Sequence, residues 1–168
     1  MSVGADDLVW DSLNAWVANV TGLLAIRVWQ GGPQPIRPYL TTNMVSLHPV
    51  RDWERDWLGE EDPTSGRILA TPPIEMEWNF SINAYSETPT DHLRPLISAS
   101  RLTQVEEPNF PSLVIHRTSP IRNLSEWHDT DWEPRAQIDL DLRGVTLDGH
   151  LVDTIETIEG ITITRVYP

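Results

Sequence analysis

A long run of strict alternation between apolar and polar side chains constrains the fold of this chain more than any other feature. The run spans Ile74 to Tyr85. Its apolar members are Ile74, Met76, Trp78, Phe80, Ile82 and Ala84, and the residues between them are Glu75, Glu77, Asn79, Ser81 and Asn83. Successive side chains of a β-strand point to opposite faces of its sheet, so one face of this strand is buried and the other is wet. Half-buried strands of this kind are typical of antiparallel sheets.

Further strands are predicted on both sides of this run. Residues 135–145 alternate again, with Ala136, Ile138, Leu140 and Leu142 set against Gln137, Asp139, Asp141 and Arg143. Shorter strands are predicted over 24–30, 39–48, 113–117, 120–124 and 161–166. Three prolines within 31–38 predict an extended connection, and residues 125–134 are predicted to form a polar loop.

Two helices complete the predicted fold. Leu8, Val9, Leu13, Trp16, Val17 and Val20 share one helical face, which predicts a helix over about 5–21. A second apolar stripe, with Leu93, Leu96 and Ile97, predicts a helix from about Thr88 to about Thr103. The predicted fold class is α+β, with one twisted, mainly antiparallel sheet and two helices packed on one face. We expect residues 1–168 to form a single domain.

Residues 50–73 interrupt this pattern with a dense run of charge. Trp53, Trp57 and Leu58 are the only large apolar residues in it before Ile68, and the stretch 63–66 carries a turn signal. The strands on either side would pair directly if the segment were removed. We therefore predict a projecting arm or long hairpin within the domain.

Charge and composition exclude several classes of protein. The chain carries 25 acidic and 12 basic residues, for a formal charge of -13, and every basic residue is arginine. Phosphate binding needs clustered cations, so this balance opposes a nucleic-acid grip without excluding a surface that DNA merely passes. Without cysteine there are no disulfides, thiolate catalysis, zinc fingers or iron–sulfur clusters, and without lysine there is no Schiff-base chemistry. No apolar run approaches the ~20 residues of a membrane span, and the acidic N-terminus does not resemble a secretory signal, so no membrane partner is expected.

Two groups of carboxylates keep an enzyme open as an alternative. Asp139 and Asp141 share one strand face at a separation of about 7 Å, which suits paired carboxylate catalysis. His128, Asp129 and Asp131 offer nitrogen and oxygen ligands to a metal. A wet strand face and a polar loop explain both groups, and the chain lacks a Gly-x-Ser-x-Gly, a glycine-rich phosphate loop and a His-Glu-x-x-His motif. We therefore expect no enzyme activity, metal or cofactor.

The tryptophans divide into a core group and a candidate interface group. Trp10, Trp16, Trp29 and Trp78 fall on regular elements and are predicted to serve the core. The others lie in charged, irregular segments beside arginines, and Trp and Arg are enriched at interface hot spots. Local pinning of each ring to the sheet is the alternative. We predict a subunit or partner interface formed by Trp53, Trp57, Arg51, Arg55, Trp127 and Trp132.

Several short strings, taken in order, resemble the neck or tail terminator proteins of tailed bacteriophages. They are the opening helix with Trp16-Val17 and Thr21-Gly22-Leu23, the stretch Gln34 to Thr41, the strand Met76 to Tyr85 followed by a helix, the stretch Trp132 to Ala136 leading into Asp139-Leu140-Asp141, and Ile155 to Ile163. The resemblance spans nearly the whole chain, and residues 50–73 align with it least.

The resemblance implies a structural role in the virion. Such proteins are small α+β subunits that assemble into a ring, commonly a hexamer, which caps the tail tube, stops its polymerisation and docks the head-side connector. The implied partners are further copies of the chain, the tail tube protein and connector or neck proteins, with DNA passing through the lumen without specific binding. The implied location is the virion neck, after assembly in the host cytoplasm, and no catalysis or cofactor is implied. Another neck or baseplate ring component and a carboxylate- or metal-dependent hydrolase are the alternatives.

The wet faces of the two long strands give a prediction for the lumen. They carry Glu75, Glu77, Asp139 and Asp141, with only Arg143 expected to oppose them. Because helices must cover the apolar face, the acidic face is free. We predict that it faces the ring interior and presents net negative charge to DNA as a non-stick lining. The alternative places these carboxylates on the outer rim as solubility charge.

Overall fold

The computed structural model describes residues 5–28, 31, 33–51, 58–64, 67–106, 108–110, 112–128, 131–148 and 150–152. Its helices are α1 (Ala5–Thr21), α2 (Pro89–Ala99) and α3 (Thr103–Glu106). Its strands are β1 (Leu24–Arg27), β2 (Tyr39–Pro49), β3 (Leu58–Glu61), β4 (Ile68–Thr71), β5 (Pro73–Tyr85), β6 (Leu113–Thr118), β7 (Arg122–Asn123), β8 (Glu126–His128), β9 (Asp131–Glu133), β10 (Arg135–Leu147) and β11 (His150–Val152).

The chain divides into two compact units. The first comprises residues 1–52 and 75–146, and the second comprises residues 53–74 and 147–168. The organisation of the whole chain as one domain with a projecting arm at 50–73 stays a prediction.

The main sheet of the first unit has the strand order β1-β2-β5-β10-β6, with β7 also paired to β10. β2 runs antiparallel to β5, and β10 runs antiparallel to both β6 and β7. Cross-strand contacts of β5 with β10 run in opposite order, since Glu77 meets Arg143 whereas Ser81 meets Gln137. Among the strands that the structure describes, β1 alone runs parallel to its neighbour, β2. The predicted α+β class with a mainly antiparallel sheet is confirmed.

The hydrophobic core joins α1 and α2 to the apolar side chains of the long strands. Its buried members are Val9, Leu13, Trp16, Val17, Leu40, Trp78, Phe80, Ile82, Ala84, Leu93, Leu96, Ala99, Phe110, Ala136, Ile138, Leu140 and Leu142. The alternation of the two long strands therefore identified the buried side of the sheet. Leu8 is an exception on the predicted helical face, because its side chain is 56% exposed. The placement of both helices on a single face of the sheet stays a prediction.

The predicted core tryptophans lie where the helix and strand patterns place them. Trp16 and Trp78 are fully buried, and Trp10 packs partly buried against the core. Trp78 also donates from Nε1 to Asp6 Oδ1 at 2.9 Å, which ties the first turn of α1 to β5. Trp29 lies outside the described residues.

The second helix is shorter than the sequence predicts, and another helical turn follows it. α2 ends at Ala99, where the backbone N–H groups of Ser100 and Leu102 still donate to Leu96 and Ala99 in a tightening turn. A separate helix, α3, then begins at Thr103 and ends at Glu106. The prediction of one continuous helix to about Thr103 was therefore too long.

The predicted polar loop at 125–134 contains a short hairpin instead. β8 pairs antiparallel with β9, and Trp127 lies directly opposite Trp132. Cross-strand aromatic pairs stabilise a sheet, and the polar composition of the flanking residues hid this pair from the sequence analysis. The first predicted strand also ends early, at Arg27.

The second unit contains a three-stranded sheet in the order β11-β4-β3. β3 and β4 pair as an antiparallel hairpin within the charged segment, and the N–H of Asp62 donates to Arg67 O at 2.8 Å across its turn. β11 pairs antiparallel with the other edge of β4. The strand predicted over 161–166 lies outside the described residues.

Candidate interaction surface

One side of the main sheet carries a continuous polar layer, here called the polar face. It consists of Glu75, Glu77, Asn79 and Ser81 on β5 together with Gln137, Asp139, Asp141 and Arg143 on β10. These residues are the polar members of the two alternating runs, so the period of two places them opposite the core. All four carboxylates of the predicted lumen lining lie here.

Glu77 is held at the centre of this face by two partners. Arg143 donates from Nε to Glu77 Oε2 at 2.7 Å, and His48 Nε2 lies 3.4 Å from Oε1. The Glu77 side chain is only 12% exposed. A carboxylate this deeply placed needs charged or hydrogen-bonding partners to stay ionised in the folded chain.

The two aspartates of β10 each have their own arginine. Asp141, which is buried, accepts from Arg117 Nε at 2.6 Å and from the Asn79 amide. Arg117 comes from β6, the neighbouring strand, where it stands directly opposite Asp141.

Asp139 has hydrogen-bond partners on three segments of the chain. Arg122 of β7 donates to Oδ2, and Gln137 donates to Oδ1 at 2.9 Å. The backbone N–H of Asp139 in turn donates to Ser119 Oγ at 2.8 Å. Gln137 also donates to Ser81 at 2.6 Å, which joins this group to β5.

The expectation that only Arg143 opposes these carboxylates was wrong. Arg51 lies 3.7 Å from Glu75, so each of the four carboxylates has an arginine partner. Three of those arginines, Arg117 of β6, Arg122 of β7 and Arg51 two residues after β2, are brought alongside only by the tertiary fold. The four carboxylates of the polar face are therefore matched one to one by arginines, three of which come from neighbouring segments, and this region has no local excess of negative charge.

These contacts also bear on the hydrolase alternative. Asp139 pairs with Arg122 and Asp141 pairs with Arg117, so each carboxylate has its own ion pair, and among the described residues the two share no hydrogen-bond partner. In the metal alternative, His128 stands opposite Asp131 in the β8–β9 hairpin, whereas Asp129 lies outside the described residues. Among the described residues there is no group of three His, Asp or Glu side chains that would hold a metal ion.

The second surface is the hairpin of β8 and β9, here called the tryptophan hairpin. The rings of Trp127 and Trp132 lie 6.3 Å apart at 52° and are 65% and 56% exposed. Arg37 donates to Glu133 at 2.6 Å, which ties the hairpin to the proline-rich connection before β2. Ile36 in that connection is 94% exposed. The predicted interface residues Trp127 and Trp132 thus lie together on an exposed apolar surface.

A groove of about 620 Å³ lies beside the tryptophan hairpin. It is lined by Gln34, Arg37, Tyr39, Tyr85, Glu87, Trp132 and Glu133. Tyr39 and Tyr85 stack at 4.9 Å on its floor, and burial raises the pKa of Tyr39. Gln34 donates to the Tyr39 hydroxyl at 2.8 Å, so the floor of the groove is fixed.

The remaining predicted interface residues are mostly outside the described part of the chain. Trp53, Arg55 and Trp57 lie there, whereas Arg51 is described, exposed and paired to Glu75. The sequence analysis missed Arg117 as a member of the polar face. An arginine on a short strand gives no signal of its partner until the strand's register is known.

Comparison with known families decides which kind of protein carries these surfaces. The family model for phage neck terminator proteins matches residues 7–167. The chain belongs to the phage neck terminator protein family. The resemblance found in the sequence is thereby confirmed, and this family consists of structural tail proteins and is not a known class of enzyme.

A solved structure adds a more distant likeness. The chain is similar to the cryo-EM structure of the PVC sheath/tube terminator of an extracellular contractile injection system in its extended state. The TM-score is 0.44 and the identity 12%, over 99% of this chain and 66% of that one. The chain thus spans just under two thirds of the length of that subunit.

No curated protein matches the chain. Within the part of the chain that the structure describes, no helix is long and apolar enough to cross a bilayer.

Proposed function

We propose that this chain is a ring-forming terminator of a phage tail. It caps the finished tail tube, stops polymerisation of the tube protein and joins the tail to the head-side connector. The observation that carries the proposal is the family match over residues 7–167. In this role the chain is a virion component without catalytic activity, bound cofactor or metal.

A closed ring needs a heterologous interface, in which two different patches of each subunit meet. The tryptophan hairpin supports such a contact, because Trp127 and Trp132 are more than half exposed and stand directly opposite each other. Exposed aromatic clusters of this kind are enriched in protein interfaces. Residues 51–57, with Trp53, Arg55 and Trp57, are the proposed second contact with a neighbouring subunit or a partner ring.

We place the polar face toward the lumen. Its arginines are already bonded to carboxylates, so they offer little attraction to DNA phosphates, while the chain as a whole carries -13. A lining of this kind lets DNA pass without holding it. The non-stick property then comes from neutralised arginines and not from an excess of acid on this face.

The lining is tested by releasing two of its arginines. The combined variant Glu75→Gln and Asp139→Asn removes two carboxylates that are about a third exposed or less. The ring should bind DNA more tightly, with a steeper salt dependence. The combined variant Asp7→Asn and Asp91→Asn changes the net charge equally by removing carboxylates paired to Arg27 and Arg94 on α1 and α2, and it is the matched control. Equal DNA affinity of the two variants would place the polar face outside the channel.

Ring formation is tested by native mass measurement and negative-stain imaging of the purified chain, alone and with tube ends. We expect a closed oligomer, either free in solution or formed on the tube end. A chain that stays monomeric under both conditions would refute the proposal. Gene order gives a further check, because a terminator gene is expected beside the tail tube gene.

A further inference from the structure

The main sheet has two strand edges that pair with no further strand among the described residues. β1 covers only the first part of β2, from Tyr39 to Thr42, whereas β5 pairs with β2 as far as Pro49. In the part of the chain that the structure describes, no strand therefore pairs with the outer side of β2 over residues 44–48. β6 ends the sheet on the other side. Open edges present unpaired backbone groups and are templates for pairing with another chain.

Hydrogen bonds at the ends of these strands show which backbone groups face outward. The N–H of Val50 donates to Glu75 O, so the peptide groups of Leu47, three residues earlier, point away from β5. The N–H of Ser119 donates to Asp139 O, so the peptide groups of Thr118 point away from β10. Each open edge thus offers outward-facing donors and acceptors.

Apolar side chains lie along both open edges. Val45 is 57% and Leu47 38% exposed on β2, and Val114 is 56% exposed on β6. A hydrophobic strand edge left open favours uncontrolled association, so an edge of this composition is expected to be covered in the assembled protein.

The two edges lie at the same level of the sheet. Reading across the strands, His48 stands opposite Glu77, Glu77 contacts Arg143, and Arg143 stands opposite Val114. One step along, the same path runs from Ser46 through Asn79 and Asp141 to Arg117. The open half of β2 and the whole of β6 therefore face outward at matching heights on opposite sides of one sheet.

The strand directions match as well. β2 is antiparallel to β5, β5 to β10, and β10 to β6, so β6 runs opposite to β2. If β6 of one copy is placed beside β2 of the next, the strands meet antiparallel. Successive copies can then be joined without shifting one copy along the strand direction relative to the next. A contact without such a shift allows a ring to close, whereas a shift at every contact would produce a helical filament.

We propose that β6 of one subunit pairs antiparallel with residues 44–48 of the next subunit, so that the main sheet continues around the ring. The inference rests on the ring proposed above. The partner at each edge is a second copy of this chain. A single chain carries both the open part of β2 and β6, at the same level of the sheet and in opposite directions, as antiparallel pairing between copies requires. The contact brings Val114 of one copy opposite His48 of the next, on the same face of the joined sheet.

Introduced cysteines test this pairing, because the natural chain contains none. The peptide groups of His48 point toward β5, so His48 and Val114 would form a non-hydrogen-bonded pair across the contact. The Cα atoms of such a pair are about 4.5 Å apart, which is within the range of a disulfide. His48 is 53% exposed at its side chain and Val114 is 56% exposed, so neither substitution disturbs the core. The variant His48→Cys with Val114→Cys should give, on oxidation of the assembled ring, a ladder of covalent oligomers up to the closed ring.

The control pairs Val114→Cys with Leu102→Cys; Leu102 is 55% exposed and lies between α2 and α3. It should crosslink no more than the single-cysteine variants. A ring that assembles while the two pairs crosslink equally would overturn the strand pairing and leave the ring itself standing. A chain that forms no ring under any condition overturns both proposals.

Hydrogen exchange of the unmodified chain provides a second measurement without any substitution. The amides of Leu47 and Thr118 should exchange roughly a hundredfold more slowly in the ring than in the free subunit, because each gains a backbone acceptor. Unchanged exchange at both amides in an assembled ring would contradict the pairing.

Discussion

Arg143 of β10 donates from Nε to Glu77 Oε2 of β5 at 2.7 Å, across the two longest strands of the sheet. The Glu77 side chain is 12% and the Arg143 side chain 30% exposed, so this ion pair is largely shielded from water. It lies midway along a row of acid–arginine pairs that crosses the polar face from Arg51 to Arg122. The row joins β5, β10, β6 and β7 through charged contacts on the side opposite the core.

Replacing Arg143 by methionine should therefore destabilise the chain. The substitution keeps much of the apolar stem but leaves Glu77 with only His48 as a partner, and an under-satisfied buried carboxylate costs about 1–3 kcal/mol. The matched control is Arg94→Met, whose pair with Asp91 is 70% and 55% exposed and should matter little. Urea unfolding measures both. Equal stability losses for the two variants would contradict a structural role for the Arg143–Glu77 pair.

The long amphipathic elements could be predicted from the sequence because their own periodicity decides which side chains are buried. Phe80 and Ile138 lie fully buried as the alternation requires, and Leu13 and Trp16 do so as the helical spacing requires. The acidic side of β5 and β10 was recognised for the same reason.

The partners of that acidic side could not be predicted. Arg117 and Asp141 are 24 residues apart in the sequence, and their contact depends on the register of β6 against β10, which contains a bulge between Asp141 and Leu142. The tryptophan hairpin escaped prediction because three-residue strands such as β8 and β9 are too short to show a period. Their pairing depends on the contact between Trp127 and Trp132.

The contact between α1 and β2 depends on the hydroxyl of Thr42, which is fully buried. Trp10 Nε1 donates to Thr42 Oγ1 at 2.7 Å, and that hydroxyl donates to Asn14 Oδ1 at 2.6 Å. Thr42→Val keeps the shape but leaves the indole N–H and the amide oxygen without this partner, at a cost of about 1–3 kcal/mol. Thr42→Ser retains the hydroxyl and should lose less stability in thermal unfolding. A valine variant as stable as the parent chain would show that these hydrogen bonds contribute nothing to stability.

Gly144 permits the close approach of β10 to β6. A Cβ at this position would lie 2.4 Å from Leu113 Cδ2 and 3.2 Å from the backbone oxygen of Ser112. Leu113 can rotate, but the backbone oxygen must also give way, so Gly144→Ala should cost about 1–3 kcal/mol through overpacking. Val145→Ala, next along the strand and 60% exposed, is the control and should stay within about 0.5 kcal/mol of the parent. Denaturant titration would contradict this account if the alanine at 144 proved neutral or stabilising.

Glu106 at the end of α3 gives a pH-dependent prediction. Burial raises the pKa of its carboxyl above the ordinary value of 4.5, and its Oε1 atom is buried without a hydrogen-bond partner among the described residues. The carboxyl of Glu106 therefore binds its proton more tightly in the folded chain than in the unfolded chain. This contribution is present at low pH and is lost as the pH rises from about 4.5 through the raised value. Glu106→Gln removes the step.

The measurement is the difference in free energy of unfolding between the parent and Glu106→Gln across that pH range. The free energy of unfolding of the parent should fall relative to that of the variant as the pH rises. A difference that is constant with pH would show that this carboxyl titrates alike in the folded and unfolded chain.

The central claim, that the chain terminates a tail tube, is tested most directly by the length of tubes assembled from purified tail tube protein. Substoichiometric amounts of this chain, added during polymerisation, should stop growth and leave a terminator ring on one end of each tube in electron micrographs. Bovine serum albumin at the same concentration serves as the control and should leave the tube lengths unchanged. Tubes that keep growing in the presence of this chain, with both ends bare, would contradict the account.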